Sequence, residues 1–542
     1  MAGVFRVVEY SRFVVGSAKL GGVTVGVTPR QADLFLSPSN LVAGRVADDS
    51  IWSLLHHEGH RLFPDSLFWD LFSDKGRRSV PPQIVATVMV LQRLCGKSDR
   101  EAVEAFEFDT RWKFACGVDL DFPAFTHTIL VDMRARLLAS ERPRRIFEVT
   151  LEAAKTAAVV GARRVLDSTP LYDAVATMDT ITLIRSAIRQ LLAVADTELE
   201  VELRAVITSG DDYVSTGKPQ IDWDDKSARE GLIATRAKDG YACLVVVDDR
   251  VLTGPVTEAA LLLASVLGQD LEQVDGVFRI ARRVAKDRII STVDPEARHG
   301  HKTAAKGFDG FKGNVAADPD SEIITATIVT PGNAGDGSVA ADLIADLTGD
   351  LERGDDAGLF GDSAYGTGAI QEFLEDNHIT SGCKTQPVAT PKGGMFSKER
   401  FTIDLGADTV TCPNQITVTI VRHDDGSGTA KFARVCRTCP LRDQCTKSRA
   451  GRSITIHPNE AALHRARQRN TDPTWRARYR TTRPKIERKL GHLMRRRHGG
   501  RNARVRGRLK VDADFNLLAA AANLARLGKL GLISTPTGWA IQ

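Results

Sequence analysis

Three carboxylates in three different settings could do chemistry together. Asp167 ends the apolar run Arg163-Arg164-Val165-Leu166-Asp167 and is followed by Ser168-Thr169. Asp362 ends Gly358-Leu359-Phe360-Gly361-Asp362 and is followed by Ser363-Ala364. Functional residues of open α/β sheets gather at strand ends, so the two aspartates share a context. Glu487 lies in Arg483-Pro484-Lys485-Ile486-Glu487-Arg488-Lys489, on a predicted helix, and would supply a third carboxylate from another element. Three carboxylates converging on one point repel unless cations bind between them. Hard oxygen donors with open water positions suit Mg2+ or Mn2+. Two such ions roughly 4 Å apart activate a water or a 3′-hydroxyl and stabilise the leaving oxygen in phosphodiester chemistry. Taken singly, each aspartate reads as an ordinary turn or cap residue; only the triple with its basic flank shifts the balance.

That flank is dense. Between Arg465 and Lys510 stand eighteen Lys and Arg against two acids, Asp472 and Glu487, while the whole chain carries only +5. Such a stretch repels itself unless a polyanion neutralises it, which points to an enzyme acting on nucleic acid. The plainer alternative is a solvated basic helix with one stray acid. A second constellation is Cys412, then Cys436-x-x-Cys439-Pro440, then Cys445. Thiolates two apart on a turn, with two more closing the set, chelate one tetrahedral Zn2+, and four thiolates with no open position make a structural site. Reduced cysteines packing a small β-domain are the alternative. Cys95, Cys116, Cys243 and Cys383 read as isolated buried thiols.

The elements that must position these groups follow from periodicity and punctuation. Residues 1 to about 30 give a weak strand signal. From Ser50 to Leu138 the pattern is helical: Pro81-Pro82 opens one helix, Gly96-Lys97 ends it, and Ser98-Asp99-Arg100-Glu101 caps the next. A third covers about Phe125 to Leu138. This run resembles helix-turn-helix packing and is a candidate for DNA contact. A helix over 146–159 leads into the Asp167 strand. Helices resume from Asp179 to about Gln273, interrupted at Ser209–Asp225. Strands are predicted over 288–293, 308–315 and 322–329, and Thr330-Pro331-Gly332-Asn333-Ala334-Gly335-Asp336 is a loop. Helices over 339–347 and 366–376 flank the Asp362 strand, short strands fill 395–457, and an amphipathic helix covers about 514–527. His299, His301 and Lys302 read as a solvated polar loop or a phosphate contact, and Trp52, Trp69 and Trp112 as core residues.

The bulk numbers agree with a soluble globular protein of several domains. A chain of 542 residues with 42% apolar and 26% charged residues supports roughly three domains. No apolar run reaches membrane-spanning length, and the start lacks a signal-peptide pattern, so a cytosolic location is expected. Eight cysteines there argue against a disulfide framework.

Val165 to Leu171, Leu359 to Gly366, and Tyr479 with Arg483-x-x-x-Glu487 resemble the three signatures of DDE transposases of bacterial insertion sequences. Asp294-Pro295 to Lys302, Phe311-Lys312 and Ile328 to Asn333 are similar to that family's central strands, and Ser66 to Leu138 to the N-terminal domain of one branch. Two departures stand out: three residues separate Tyr479 from Arg483 where the family has two, and Met494 stands where it has Lys or Arg, Arg495 being nearest. The resemblance implies a ribonuclease H-like catalytic core with Asp167, Asp362 and Glu487 holding two Mg2+ (or Mn2+). It implies an N-terminal extension and helical, DNA-binding domain over 1–145. The core would span 146–394 with a helical insertion at about 179–287, followed by a β-rich Cys-containing insertion over 395–457 and a basic C-terminal part over 458–542. Similar cysteines in some relatives favour a structural subdomain. The implied activity is binding of terminal inverted repeats, metal-dependent strand cleavage and strand transfer, by a homodimer on double-stranded DNA at the nucleoid. Arg483, Lys489, Arg495, Arg496 and Arg497 would contact the backbone near the scissile phosphate. The rivals are a ribonuclease H-like nuclease that cuts without joining and a domesticated, inactive DNA-binding protein.

Overall fold

The computed structural model describes residues 24–542 apart from 29–34, 43, 74, 174, 216–218, 220, 275–276, 282–284, 304, 349–356, 389–390 and 392. Most of the N-terminal strand signal therefore lies outside the described residues.

A six-stranded sheet positions everything else. Its strands are β1 (Arg163–Tyr172), β2 (Arg298–Thr303), β3 (Lys306–Ala317), β4 (Ile324–Pro331), β5 (Gly358–Gly361) and β6 (Thr380–Cys383). Residues 310–317 of β3 run antiparallel to β1. The other edge of β3 pairs with β2 over its first residues and with β4 from Phe311 onward. On the far side β5 runs parallel to β1, and β6 parallel to β5. Parallel neighbours need long crossovers, and the chain supplies them: everything from 173 to 357 intervenes between β1 and β5.

Side-chain alternation along β1 feeds two cores. Val165 and Leu171 face one that also holds Leu55, Val88 and Phe106 of the N-terminal helices and Phe515 and Leu518 of the long Arg508–Leu530 helix. Leu166 faces the opposite core, with Ile344, Leu359 and Leu374. The N-terminal helices thus share a core with the sheet. Their boundaries follow ordinary rules. Pro82–Cys95 begins with Pro in its first turn and ends at Gly96 in the left-handed region, φ 66°. A Cβ at Gly96 would also come within 2.5 Å of the Arg497 carbonyl, so only glycine fits. Ser98 and Glu101 form the expected capping box. The amphipathic C-terminal helix is longer than its periodicity indicates. Trp112 is buried as expected, whereas Trp69 is 43% exposed.

Two insertions interrupt the core. Between β1 and β2, helices Thr180–Val194, Thr197–Ala205, Lys226–Val247 and Gly254–Asp270 bury a separate cluster around Leu183, Leu263 and Leu267. After them comes a hairpin, Leu271–Val274 with Val277–Ile280, which the helical pattern hid. The strand expected over 288–293 is absent apart from one bridge between Ile289 and Arg298. Its backbone is taken by the helical insertion instead: Gln269 bonds both the N–H and the carbonyl of Ile289, and Gln190 Nε2 donates to the Thr292 carbonyl. The helix expected over 339–347 is broken into short turns. Between β6 and Glu487 lies a five-stranded antiparallel sheet, Thr402–Asp404 to Ser453–Ile456. The chain closes on a hairpin, Leu532–Thr535 with Gly538–Ile541, which had no sequence signal. No helix among the described residues is long and apolar enough to cross a membrane.

Candidate active site

Sheet register brings the two aspartates together. Val165 of β1 pairs with Phe360 of β5, so Asp167 and Asp362 each sit two residues beyond a paired position, at the same level. Asp167 does not end its strand, as the sequence indicates, because β1 continues to Tyr172 along β3. It is β5 that stops, and its end opens the space beside Asp167. Each carboxylate is oriented by a local backbone donor. The Ser168 N–H donates to Asp167 Oδ1 at 2.9 Å, and the Ala364 N–H donates to Asp362 Oδ1 at 2.9 Å. Gly361 makes the turn after β5 feasible, since a Cβ there would lie 2.8 Å from Tyr365 Cβ.

Glu487 arrives on the helix Pro473–Leu493, which packs on the same face of the sheet through Ile486, Leu490 and Leu493. Residues four apart share a helix face. Trp475, Tyr479, Arg483 and Glu487 therefore form one stripe, and the unexpected Tyr479–Arg483 spacing keeps both residues on it. Trp475 and Tyr479 stack with ring centroids 5.2 Å apart. Burial pushes the Tyr479 phenol up and Arg483 pulls it back.

All three acids meet at Arg483. Its Nη2 lies 3.1 Å from Asp167 Oδ2, 3.9 Å from Asp362 Oδ2 and 3.9 Å from Glu487 Oε1. The Arg483 side chain is 9% exposed, that of Asp167 17% and that of Glu487 62%. Burial raises Asp167 above the usual carboxylate range, with Arg483 opposing it. Burial likewise lowers Arg483, but the three acids win and its guanidinium is held above its ordinary value. Its Nη1 is buried without a hydrogen-bond partner. The oxygens left free by the backbone donors thus point at one cation.

Among the described residues, no group of three or more His, Cys, Asp or Glu stands close enough to hold a metal ion by itself. At the three acids, the Arg483 guanidinium is the positive group they share. The donor set, carboxylate oxygens on three elements around a positive centre, fits a hard divalent ion in kind. Cys412, Cys436, Cys439 and Cys445 line one small cavity in the five-stranded sheet's subdomain. All four are free thiols. Burial and the other three cysteines push the Cys445 thiol up, and the Arg452 N–H donates to Cys436 Sγ at 3.4 Å. Soft donors around one cavity fit zinc in kind.

The remaining expected residues divide by exposure. Arg495, Arg496 and Arg497 are exposed. Lys489 turns inward, 6% exposed, with burial lowering its ammonium to about 8, so its head group is not on the surface a phosphate would meet. His299 pairs with Asp309 at 2.7 Å on the β2–β3 edge, away from the acids. Sequence reasoning passed over Asp336. Its Oδ2 accepts from Ser168 Oγ at 2.7 Å and its Oδ1 from Lys312 Nζ at 2.8 Å. The only signal was its place at the end of a loop read as a turn.

Residues 54–136 match a family model described as Transposase domain (DUF772), and residues 411–528 match one described as Transposase DDE domain. The second segment contains Arg483 and Glu487. No curated protein and no solved structure matches the chain. The two matches together support a DDE transposase of insertion-sequence type.

Proposed function

We propose that this transposase-family chain binds the terminal inverted repeats of its own element, cleaves DNA strands there, and joins the freed 3′-hydroxyls to target DNA. The observation that carries the proposal is the meeting of three carboxylates, from β1, the turn after β5 and a separate helix, at one cationic nitrogen. The strand order β4-β3-β1-β5-β6, with β5 and β6 parallel to β1, supports a ribonuclease H-like core. The chain would divide at 1–145, 146–394, 395–457 and 458–542, with the helices of the first part sharing their core with the sheet.

Asp167, Asp362 and Glu487 would hold the divalent cations, Mg2+ or Mn2+, which supply an activated water or 3′-hydroxyl and charge stabilisation at the scissile phosphate. The Ser168 and Ala364 N–H groups keep the two aspartates from rotating, which presets the geometry. Arg483 neutralises the acids in the DNA-free chain and is the nearest positive group to a phosphate entering there. Arg495, Arg496 and Arg497 dock the backbone. Such contacts position DNA and the N-terminal helices read sequence. Cys412, Cys436, Cys439 and Cys445 would hold a structural Zn2+. Pairing two element ends calls for two copies of the chain on double-stranded DNA, in the cytoplasm at the nucleoid.

The test is cleavage of end-containing DNA with Mg2+ by the wild-type protein and by Asp167→Ala, Asp362→Ala and Glu487→Ala. Each variant should bind the ends and cut none; robust cutting by Asp362→Ala would overturn the assignment.

A further inference from the structure

A partly buried polar network lies beneath the acids. Asp336 follows the loop after β4, and both its oxygens are used: Lys312 Nζ donates to Oδ1 at 2.8 Å and Ser168 Oγ donates to Oδ2 at 2.7 Å. Lys312 also donates to the Ala334 carbonyl at 2.8 Å, which ties β3 to that loop. Ser168 is the residue whose N–H orients Asp167. On the other side, Gly337 lies against the turn that carries Asp362, since a Cβ there would come within 2.9 Å of the Ala364 carbonyl. Between these groups sits Tyr365. It is fully buried, and its hydroxyl has no hydrogen-bond partner. Its phenol is pushed far up, by burial first and then by Asp336, Asp167 and Asp362 in that order.

We propose that Asp336 is a positioning residue of this site, which acts with Lys312 and Ser168 to hold Asp167 in fixed relation to Asp362. It is not a fourth ligand, because Lys312 and Ser168 occupy its oxygens and the Lys312–Asp336 pair adds no net charge to the site. Its action runs through Ser168: with that hydroxyl anchored, the residue that orients Asp167 cannot turn. The Tyr365 hydroxyl, like Arg483 Nη1, is a buried donor without a partner, so it takes no part in this anchoring. The proposal rests on the phosphodiester reading above.

Partners that orient metal-binding groups change metal affinity or rate by about 10- to 100-fold when removed. The test uses the full chain and three variants: Asp336→Asn, Tyr365→Phe, and the double variant Lys312→Met with Asp336→Asn, which leaves no unpaired charge. Mn2+ affinity is read from melting curves across a Mn2+ titration, and single-turnover cleavage is read on end DNA. Asp336→Asn and the double variant should each bind Mn2+ and cut about 10- to 100-fold more weakly, with DNA affinity unchanged. Tyr365→Phe, which removes only a hydroxyl without a partner, should keep the wild-type Mn2+ affinity and rate. Wild-type Mn2+ affinity and rate in Asp336→Asn would overturn the proposal, as would an equal loss in Tyr365→Phe or full recovery of both in the double variant. A wild-type chain that neither binds Mn2+ nor cuts DNA would overturn the preceding reading and this one with it.

Discussion

Replacing Arg483 by Met removes the cation at which the three acids meet. In the metal-free protein this strands Asp167, whose side chain is 17% exposed. Breaking a buried ion pair by deleting one partner costs about 3–5 kcal/mol, because the remaining charge is left uncompensated. Asp362 and Glu487 lie farther away and are better solvated, so each adds at most about 1 kcal/mol. The variant should therefore melt several degrees below wild type without divalent ions. Mn2+ should then restore it. A cation entering the wild-type site must displace the guanidinium, while in Arg483→Met the acids are already free. A relief of about 3 kcal/mol corresponds to roughly 100-fold in affinity, so at least a tenfold tighter Mn2+ site is expected without DNA. Melting curves with and without Mn2+, and calorimetric titration, measure both effects. An unchanged melting temperature together with unchanged Mn2+ affinity would refute the electrostatic reasoning.

Changing Arg495, Arg496 and Arg497 to Ala should weaken binding to all DNA about equally and flatten the salt slope by roughly one unit per lost phosphate contact, whereas Lys489→Met should leave affinity unchanged because Lys489 is buried; anisotropy titrations at several salt concentrations separate the two. His492 is held down to about 4, by burial first and then by Arg495, Lys489, His498 and Arg497. Between pH 6.5 and 4 the unfolded chain takes up this proton and the folded chain does not, so stability falls as pH drops through that window. Phosphates beside the arginines remove the repulsion, so DNA affinity should rise more between pH 7.5 and 5.5 in wild type than in His492→Gln. Protein purified without chelators should contain about one Zn2+ per chain, and Cys436→Ser with Cys439→Ser should lose it, as elemental analysis would show.

The aspartates were legible because each follows a short apolar β-run, and Glu487 because it interrupts a basic segment. Their mutual placement was not legible, since it depends on the Val165–Phe360 register, a non-local pairing. Arg483 could be read as a phosphate contact from its charge alone; only the fold shows it facing the acids. Lys489 misled for the related reason that helix face, not composition, decides exposure. The Arg288–Val293 run has strand periodicity, yet glutamines from the helical insertion satisfy its backbone. Asp336 was hidden because its partners, Ser168 and Lys312, come from distant strands.

Strand joining is the most direct measurement of the central claim. Pre-cleaved end DNA with a free 3′-hydroxyl is incubated with labelled plasmid, Mg2+ and either the wild-type protein or Glu487→Gln. Covalent end–plasmid product with wild type, and none with Glu487→Gln although it binds the ends, is the expected result. Cleavage without any joined product from wild type would contradict transposition and leave a nuclease.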